Sequence, residues 1–96
     1  MFYGASKGAI NGLVMPMARD LGKFKIRVAA VAPGVFETPM GKHMPKGSDL
    51  KFKKDTPLNR LGHPDEFAHF AQSMIENQYV NGVSLRVDGA IKLSYL

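Results

Sequence analysis

The first apolar residues of the chain recur at helical spacing. Over residues 3–21, apolar side chains return every three or four positions, which is the period of one helical face. The members of this stripe are Ile10, Leu13, Val14, Met17 and Leu21. Pro16 lies within the stripe and has no amide hydrogen to donate, so we expect one long helix that bends near Gly12.

The pattern then changes to a nearly continuous apolar run over residues 26–32. Such a run is typical of a parallel strand that is covered on both faces, and Pro33-Gly34 ends it. Residues 39–58 follow with three prolines, two glycines and most of the lysines. This composition predicts a mobile lid loop over a substrate, although a poorly ordered insertion with methionines as fillers fits it equally well.

A second helix and a second strand are predicted after the loop. Pro64 stands where a helix can begin, acids occupy the next two positions, and the helix should run over residues 64–77. Its buried stripe consists of Phe67, Phe70, Ala71, Met74 and Ile75. A short strand is expected over residues 83–87, between Asn81-Gly82 and Asp88-Gly89. The order helix, strand, lid loop, helix, strand predicts an α/β fold.

The composition narrows the classes of protein to consider. The 96 residues are 45% hydrophobic and 22% charged, which is ordinary for one small soluble domain. The chain has no cysteine, and His43, His63 and His69 are too scattered to form a ligand cluster, so we expect no disulfide and no metal site. No apolar run approaches the ~20 residues that cross a bilayer, so we expect no membrane contact and see no targeting segment.

The charge of the chain is positive. It carries a formal net charge of +5, with lysines concentrated at Lys42, Lys46, Lys51, Lys53 and Lys54. A solvated loop is the plainer interpretation, because clustered lysines without interleaved aromatic residues are a poor nucleic-acid signature. The alternative hypothesis is that these lysines attract the phosphates of a coenzyme A thioester.

Tyr3 and Lys7 are the residues that suggest chemistry. They lie four positions apart at the start of the predicted helix, so their side chains project from the same face. A nearby ammonium makes a phenol a better proton donor and acceptor at neutral pH. The spacing by itself also describes an ordinary surface pair, so the interpretation depends on the surrounding motifs.

Three motifs follow one another along the chain: Tyr3-Gly4-Ala5-Ser6-Lys7, Ala32-Pro33-Gly34 and Val87-Asp88-Gly89. In this order and spacing they resemble the C-terminal part of the short-chain dehydrogenase/reductase family. The resemblance continues through residues 16–21, 32–39, 60–64, 75–77 and 81–91. It is strongest to the mitochondrial 3-hydroxyacyl-CoA dehydrogenases that also act on hydroxysteroids. The implied fold is the C-terminal portion of a Rossmann-like doubly wound parallel sheet.

The resemblance implies a role for each matching residue. Tyr3 would exchange a proton with the substrate oxygen, and Lys7 would hold the ribose hydroxyls of NAD and activate Tyr3. The turn after the first strand would contact the nicotinamide, where ligands bind in open α/β sheets. Its cofactor-binding members are Pro33, Gly34, Val35, Phe36 and Thr38, the last through the carboxamide. The resemblance also counts Tyr3 and Lys7 among the cofactor-binding residues.

Two parts of the family pattern are missing from this sequence. There is no glycine-rich dinucleotide turn after a strand, and Ser6 lies between Tyr3 and Lys7, so it is not the catalytic serine that precedes the tyrosine. We therefore expect residues 1–96 to be the C-terminal half of one domain, inactive alone, within a homo-oligomeric mitochondrial enzyme. The alternatives are a non-catalytic interaction or scaffold module, with or without RNA-processing partners, and a truncated product without an independent role.

Overall fold

The computed structural model of the chain describes residues 2–37 and 48–91. Its elements are the helix α1 (Phe2–Gly22), the strand β1 (Ala30–Pro33), the helices α2 (Ser48–Asp55) and α3 (Pro64–Glu76), and the strand β2 (Ser84–Val87). The two strands pair in one sheet. The amide of Ala30 donates to the carbonyl of Val83 at 2.9 Å and the amide of Gly34 to that of Val87 at 3.0 Å. The residue numbers of donor and acceptor increase together from the first bond to the second, so the strands are parallel. The predicted α/β class is confirmed.

The chain divides into two compact units. The first consists of Met1–Val31 with Gln72–Leu85, and the second of Ala32–Ala71 with Arg86–Leu96.

In the first unit, α1 matches the helix expected over residues 3–21 and continues through Pro16 without a break. Its buried side chains are Val14 and Ala18. Three members of the predicted apolar stripe are exposed instead, by 53% at Ile10 and Leu13 and by 40% at Met17. The apolar face of α1 is thus only partly covered by this chain.

The strand expected from residue 26 begins only at Ala30, so that boundary was wrong. The end of α1 explains the difference. Lys25 donates its amide to Gly22 and Ile26 donates to Leu21, which is the Schellman pattern, and Lys25 has a φ of 63° in the position that glycine usually takes. Before β1 begins, the amide of Val28 donates to the Asn81 side chain at 2.9 Å and not to a backbone carbonyl, while the Val28 carbonyl accepts the amide of Gly82 at 2.8 Å.

The loop predicted over residues 39–58 contains a helix that the sequence did not indicate. Helix α2 occupies Ser48–Asp55 and ends where Thr56, only 5% exposed, donates its hydroxyl to the carbonyl of Phe52 at 2.8 Å. Residues 39–47 of that loop lie outside the described part of the chain.

Helix α3 and strand β2 lie where the pattern placed them, with α3 at Pro64–Glu76 and β2 at Ser84–Val87. Met74 is buried as expected, whereas Ile75 of the same predicted stripe is 71% exposed. Neither α1 nor α3 is long and apolar enough to cross a membrane, and the same holds for every helix within 2–37 and 48–91.

Candidate functional site

The aromatic ring of Tyr3 and the ammonium of Lys7 meet on α1. The Nζ atom of Lys7 lies 5.4 Å from the centroid of the Tyr3 ring, within cation–π range. Helical geometry produces this contact, since residues four apart lie one turn above each other. The hydroxyl of Ser6 points away into a local bond and donates to the Tyr3 carbonyl at 2.9 Å. The sequence-predicted pair therefore forms, and Ser6 is occupied elsewhere.

This end of α1 is open. Tyr3 is 75% exposed and Phe2 84%. A Cβ atom added at Gly4 or Gly8 would meet no heavy atom of residues 2–37 and 48–91 within 4 Å. A ligand or another polypeptide can approach the phenol and the ammonium directly.

The turn after β1 lies in the second unit and starts at Gly34. A Cβ atom at this position would come within 2.6 Å of the Asp88 Cβ and 2.8 Å of its Cα, so only glycine fits without a shift. The turn stands at the carboxyl end of β1, which is where open α/β sheets bind ligands. The predicted residues Pro33, Gly34, Val35 and Phe36 are therefore consecutive at that edge, while Thr38 lies outside the described residues.

Phe36 is held by backbone and by ring contacts. It forms an isolated parallel bridge with Gly62. Its ring meets the ring of Phe67 edge to face, with centroids 5.8 Å apart and planes at 78°. The segment after Gly34 is thus packed against the start of α3.

A small cleft of about 80 Å³, open to solvent, lies beside this turn in the second unit. Its walls are partly apolar, from Val35, Phe36 and Leu58, and partly charged, from Arg60, Glu66 and Asp88.

Glu66 forms a two-pronged ion pair with Arg60 at the cleft. Arg60 donates to both of its carboxylate oxygens, at 2.7 and 2.9 Å, and the His63 amide donates to Oε1 at 2.9 Å. The hydrogen bond from Arg60, with help from the His63 amide, lowers the pKa of Glu66 from 4.5 to about 2. The same hydrogen bond raises the pKa of Arg60. Glu66 is therefore ionised at any physiological pH.

Asp88 shapes the chain after β2. Its Oδ1 accepts the amide of Ala90 at 2.9 Å and its Oδ2 accepts Nε of Arg86 at 2.8 Å. Burial raises the pKa of Asp88, but the bonds from Arg86 and Ala90 outweigh it, so the net pKa is lowered. The bond to Ala90 supports that residue at a φ of 65°, in the left-handed region.

Sequence reasoning proposed the pair on α1 and the turn after β1 as site residues, but it did not single out the cluster of Arg60, His63 and Glu66. A signal was present, because a glutamate at the third position of a helix often accepts the amide of the residue that precedes the helix. What the sequence could not indicate is that Arg60 would grip the same carboxylate. Among the described residues, no group of three or more His, Cys, Asp or Glu side chains could hold a metal ion.

The chain is similar to known oxidoreductases over nearly all of its length. A family model described as enoyl-(acyl carrier protein) reductase matches residues 1–91. The 3-hydroxyacyl-CoA dehydrogenase type-2 of Mus musculus is 45% identical over 92 residues, which are 95% of this chain and 35% of that protein.

Two solved structures extend the similarity to the fold. The crystal structure of 3-hydroxyacyl-CoA dehydrogenase type-2 from Mycobacterium avium matches with a TM-score of 0.87 and 40% identity, covering 96% of this chain and 36% of that one. A 3-oxoacyl-[acyl-carrier protein] reductase from Brucella melitensis with bound NAD matches with a TM-score of 0.81 and 35% identity, covering 96% and 34%. The chain thus spans about a third of the length of the proteins that it matches.

Proposed function

Because the chain belongs to the short-chain dehydrogenase/reductase family, we propose that it carries the proton-transfer residues of an enzyme that interconverts a secondary alcohol and a ketone. The relatives that it matches are named dehydrogenases and reductases. The observation that carries the proposal is the Tyr3–Lys7 pair, with the ammonium 5.4 Å from an exposed phenol ring.

Tyr3 acts in both directions of the reaction. In oxidation its oxygen takes the proton of the substrate hydroxyl, and in reduction it returns a proton to the oxygen of the ketone. A nicotinamide dinucleotide, when bound, accepts or supplies the hydride that leaves or enters the carbon bearing that oxygen. The charge of Lys7 stabilises the negative oxygen that proton loss leaves on Tyr3.

The donors present on the chain fit the nicotinamide end of such a cofactor. Lys7 has three N–H donors that suit ribose hydroxyls, and the open surface around Gly4 and Gly8 leaves Lys7 and Tyr3 accessible. We assign Pro33, Gly34, Val35 and Phe36 to the nicotinamide ring and Thr38 to its carboxamide. We take the cofactor to be NAD, supported by the bound NAD of the Brucella melitensis relative.

The proposed substrate is a 3-hydroxyacyl-CoA or a hydroxysteroid. Helix α2 supports the thioester, because it carries Lys51, Lys53 and Lys54 in and near its last turn, with Lys51 and Lys54 exposed. These cations would attract the phosphates of coenzyme A.

We also propose that the full-length protein is a homo-oligomer and that α1 lies in the contact between copies. Exposed apolar side chains on α1 support this, since Ile10 and Leu13 lie on neighbouring turns and are each 53% exposed.

The test is Tyr3→Phe in the full-length protein, assayed with a 3-hydroxyacyl-CoA and NAD. We expect kcat to fall roughly 100- to 10,000-fold, as for loss of a general acid–base group, while NADH binding changes far less. Tyr79→Phe is the matched control, because Tyr79 is 98% exposed and far from α1 in sequence. An active Tyr3→Phe enzyme would overturn the proposal.

Lys7→Met tests the second residue of the pair. It should weaken NADH binding as well as lower kcat, since Lys7 is assigned two tasks. Lys23→Met is its control, because the ammonium of Lys23 also lies 5.4 Å from an aromatic ring, that of Phe24, at the other end of α1. Equal effects of the two substitutions would argue against a specific role for Lys7.

A further inference from the structure

The turn at residues 34–36 is hydrogen-bonded to the backbone of Gly62. The Gly62 amide donates to the carbonyl of Val35 at 3.0 Å, and the Gly62 carbonyl accepts the amide of Glu37 at 2.9 Å. A Cβ atom at position 62 would lie 2.5 Å from the ring of Phe36, so that ring packs directly on the glycine. The position of residues 35–37 therefore follows the position of Gly62.

Gly62 is itself positioned by contacts between its neighbours and Glu66. The guanidinium of Arg60 donates to both carboxylate oxygens of Glu66, and the amide of His63 donates to one of them. Arg60 also donates to the carbonyl of Leu61 at 3.1 Å. The residues on both sides of Gly62 are thereby tied to one carboxylate.

The geometry of this pairing matters more than its strength. The side chains of Arg60 and Glu66 are each 44% exposed, and exposed ion pairs contribute little to stability. A two-pronged contact between guanidinium and carboxylate nevertheless fixes direction, because both bonds must align at once. The pair thus locates the segment 60–63 relative to α3.

We propose that Glu66, acting through Arg60 and the His63 amide, sets the position of Gly62 and thereby aligns the turn 34–36 for contact with the nicotinamide. The inference rests on the proposed function, since it takes that turn as part of the cofactor site. Glu66 is a positioning residue, because it acts through Gly62 and not on the reacting atoms.

The test is Glu66→Gln in the full-length protein. The substitution removes the ion pair with Arg60 but leaves a side-chain oxygen that can accept the His63 amide. Asp65→Asn is the matched control: it removes the same charge from the same turn of α3, and Asp65 makes no side-chain hydrogen bond or ion pair within the described ranges. Two readouts are needed, namely hydrogen exchange at the amides of Gly62 and Glu37, and NADH binding with the KM for NAD.

In Glu66→Gln we expect both amides to exchange about tenfold faster and NADH to bind about tenfold more weakly, because a small misplacement of a contact surface has a large effect. The KM for NAD should rise with the dissociation constant, while the KM for the acyl substrate changes by less than about twofold. Asp65→Asn should match the wild type in all of these. If Glu66→Gln does not fold, Arg60→Lys, which keeps the charge but loses the fork, carries the same test.

Three results would overturn the inference: unchanged exchange at Gly62 and Glu37, faster exchange with unchanged NADH binding, or equal effects in Asp65→Asn. A failure of the proposed function looks different. The wild-type protein would then bind no nicotinamide dinucleotide and Tyr3→Phe would have no effect, and the cofactor part of the inference would fall with it. Hydrogen exchange would still decide whether Glu66 holds the turn.

Discussion

Two glycines of the second unit are required by close contacts and not by unusual backbone angles. Gly34 lies against the backbone of Asp88, and Gly62 lies against the ring of Phe36. Neither has a positive φ, unlike Gly82 at 68°. Pro33-Gly34 was predicted as the end of a strand, but the partner that excludes a side chain there is distant in sequence, so no local pattern could name it.

Replacing Gly34 with alanine should destabilise the protein. The new methyl group would meet the Cα of Asp88 at 2.8 Å, and backbone cannot rotate away as a flexible side chain can. We expect a loss of about 1–3 kcal/mol in the free energy of unfolding, measured by urea denaturation of the full-length protein. Gly22→Ala is the control, since none of the described atoms would lie within 4 Å of a Cβ at that site. Equal stability of the two variants would contradict this account.

The two ends of α3 are secured by different means. Its start follows a local pattern, with Pro64 first and acids in the first turn, and the sequence predicted it. Its end depends on Arg27, whose guanidinium donates to the carbonyls of Met74, Ile75, Asn77 and Val80 at 2.6–3.1 Å. A cation at a helix C-terminus also interacts favourably with the helix dipole. Since Arg27 precedes β1, sequence periodicity gave no sign of this contact.

Arg27→Ala should therefore destabilise the first unit. Loss of one charged donor to four carbonyls should lower the free energy of unfolding by about 1–3 kcal/mol. Arg27→Lys should recover only part of the loss, because an ammonium keeps the charge without the planar fork. Hydrogen exchange near the end of α3, together with urea denaturation, measures both effects. A lysine variant as stable as the wild type would reduce the role of Arg27 to its charge.

The contribution of Glu66, at the start of α3, to the free energy of unfolding should depend on pH in the acid range. Because the pKa of Glu66 falls from 4.5 to about 2 in the folded chain, its carboxylate stabilises folding above pH 4.5, and this contribution is lost as the pH falls toward 2. The difference in unfolding free energy between wild type and Glu66→Gln should thus be constant above about pH 5 and shrink below it. Urea denaturation at several pH values measures the difference.

The effect of Glu66→Gln on the unfolding free energy should depend less on pH in an Arg60→Ala background. The hydrogen bond from Arg60, the largest cause of the lowered pKa of Glu66, is then absent. A difference that stays constant down to about pH 2 would contradict the assigned ion pair.

The described part of the chain has a small apolar core. Within the described residues, the buried apolar side chains are Val14, Ala18, Leu61, Met74 and Ile91. Two paired strands leave one edge of each without a partner in the described sheet. These features agree with a chain that spans about a third of its relatives' length. Three expectations stay predictions: that residues 1–96 are the C-terminal half of one domain, that the protein is mitochondrial, and that the chain is a scaffold module with RNA-processing partners.

The 96-residue chain alone should aggregate or melt without a cooperative transition, because few apolar side chains among the described residues are buried. Size-exclusion chromatography and calorimetry at several concentrations measure this. Ile10→Lys or Leu13→Lys should slow aggregation by removing exposed apolar surface, whereas Val14→Lys should not, because Val14 is only 6% exposed. A single cooperative melt of a monomer would contradict the expectation.

The sequence by itself determined the elements whose causes are local. Helical periodicity located α1 and α3, the Pro33-Gly34 turn located the end of β1, and the spacing of Tyr3 and Lys7 placed both side chains on one face. Tertiary structure decided what depends on contacts outside each element. These are the late start of β1, the capping of α3 by Arg27, and the ion pair of Arg60 with Glu66 next to the turn 34–36. The physical reason is that periodicity records which face a residue occupies, whereas hydrogen bonds and close packing depend on what the fold brings against that face.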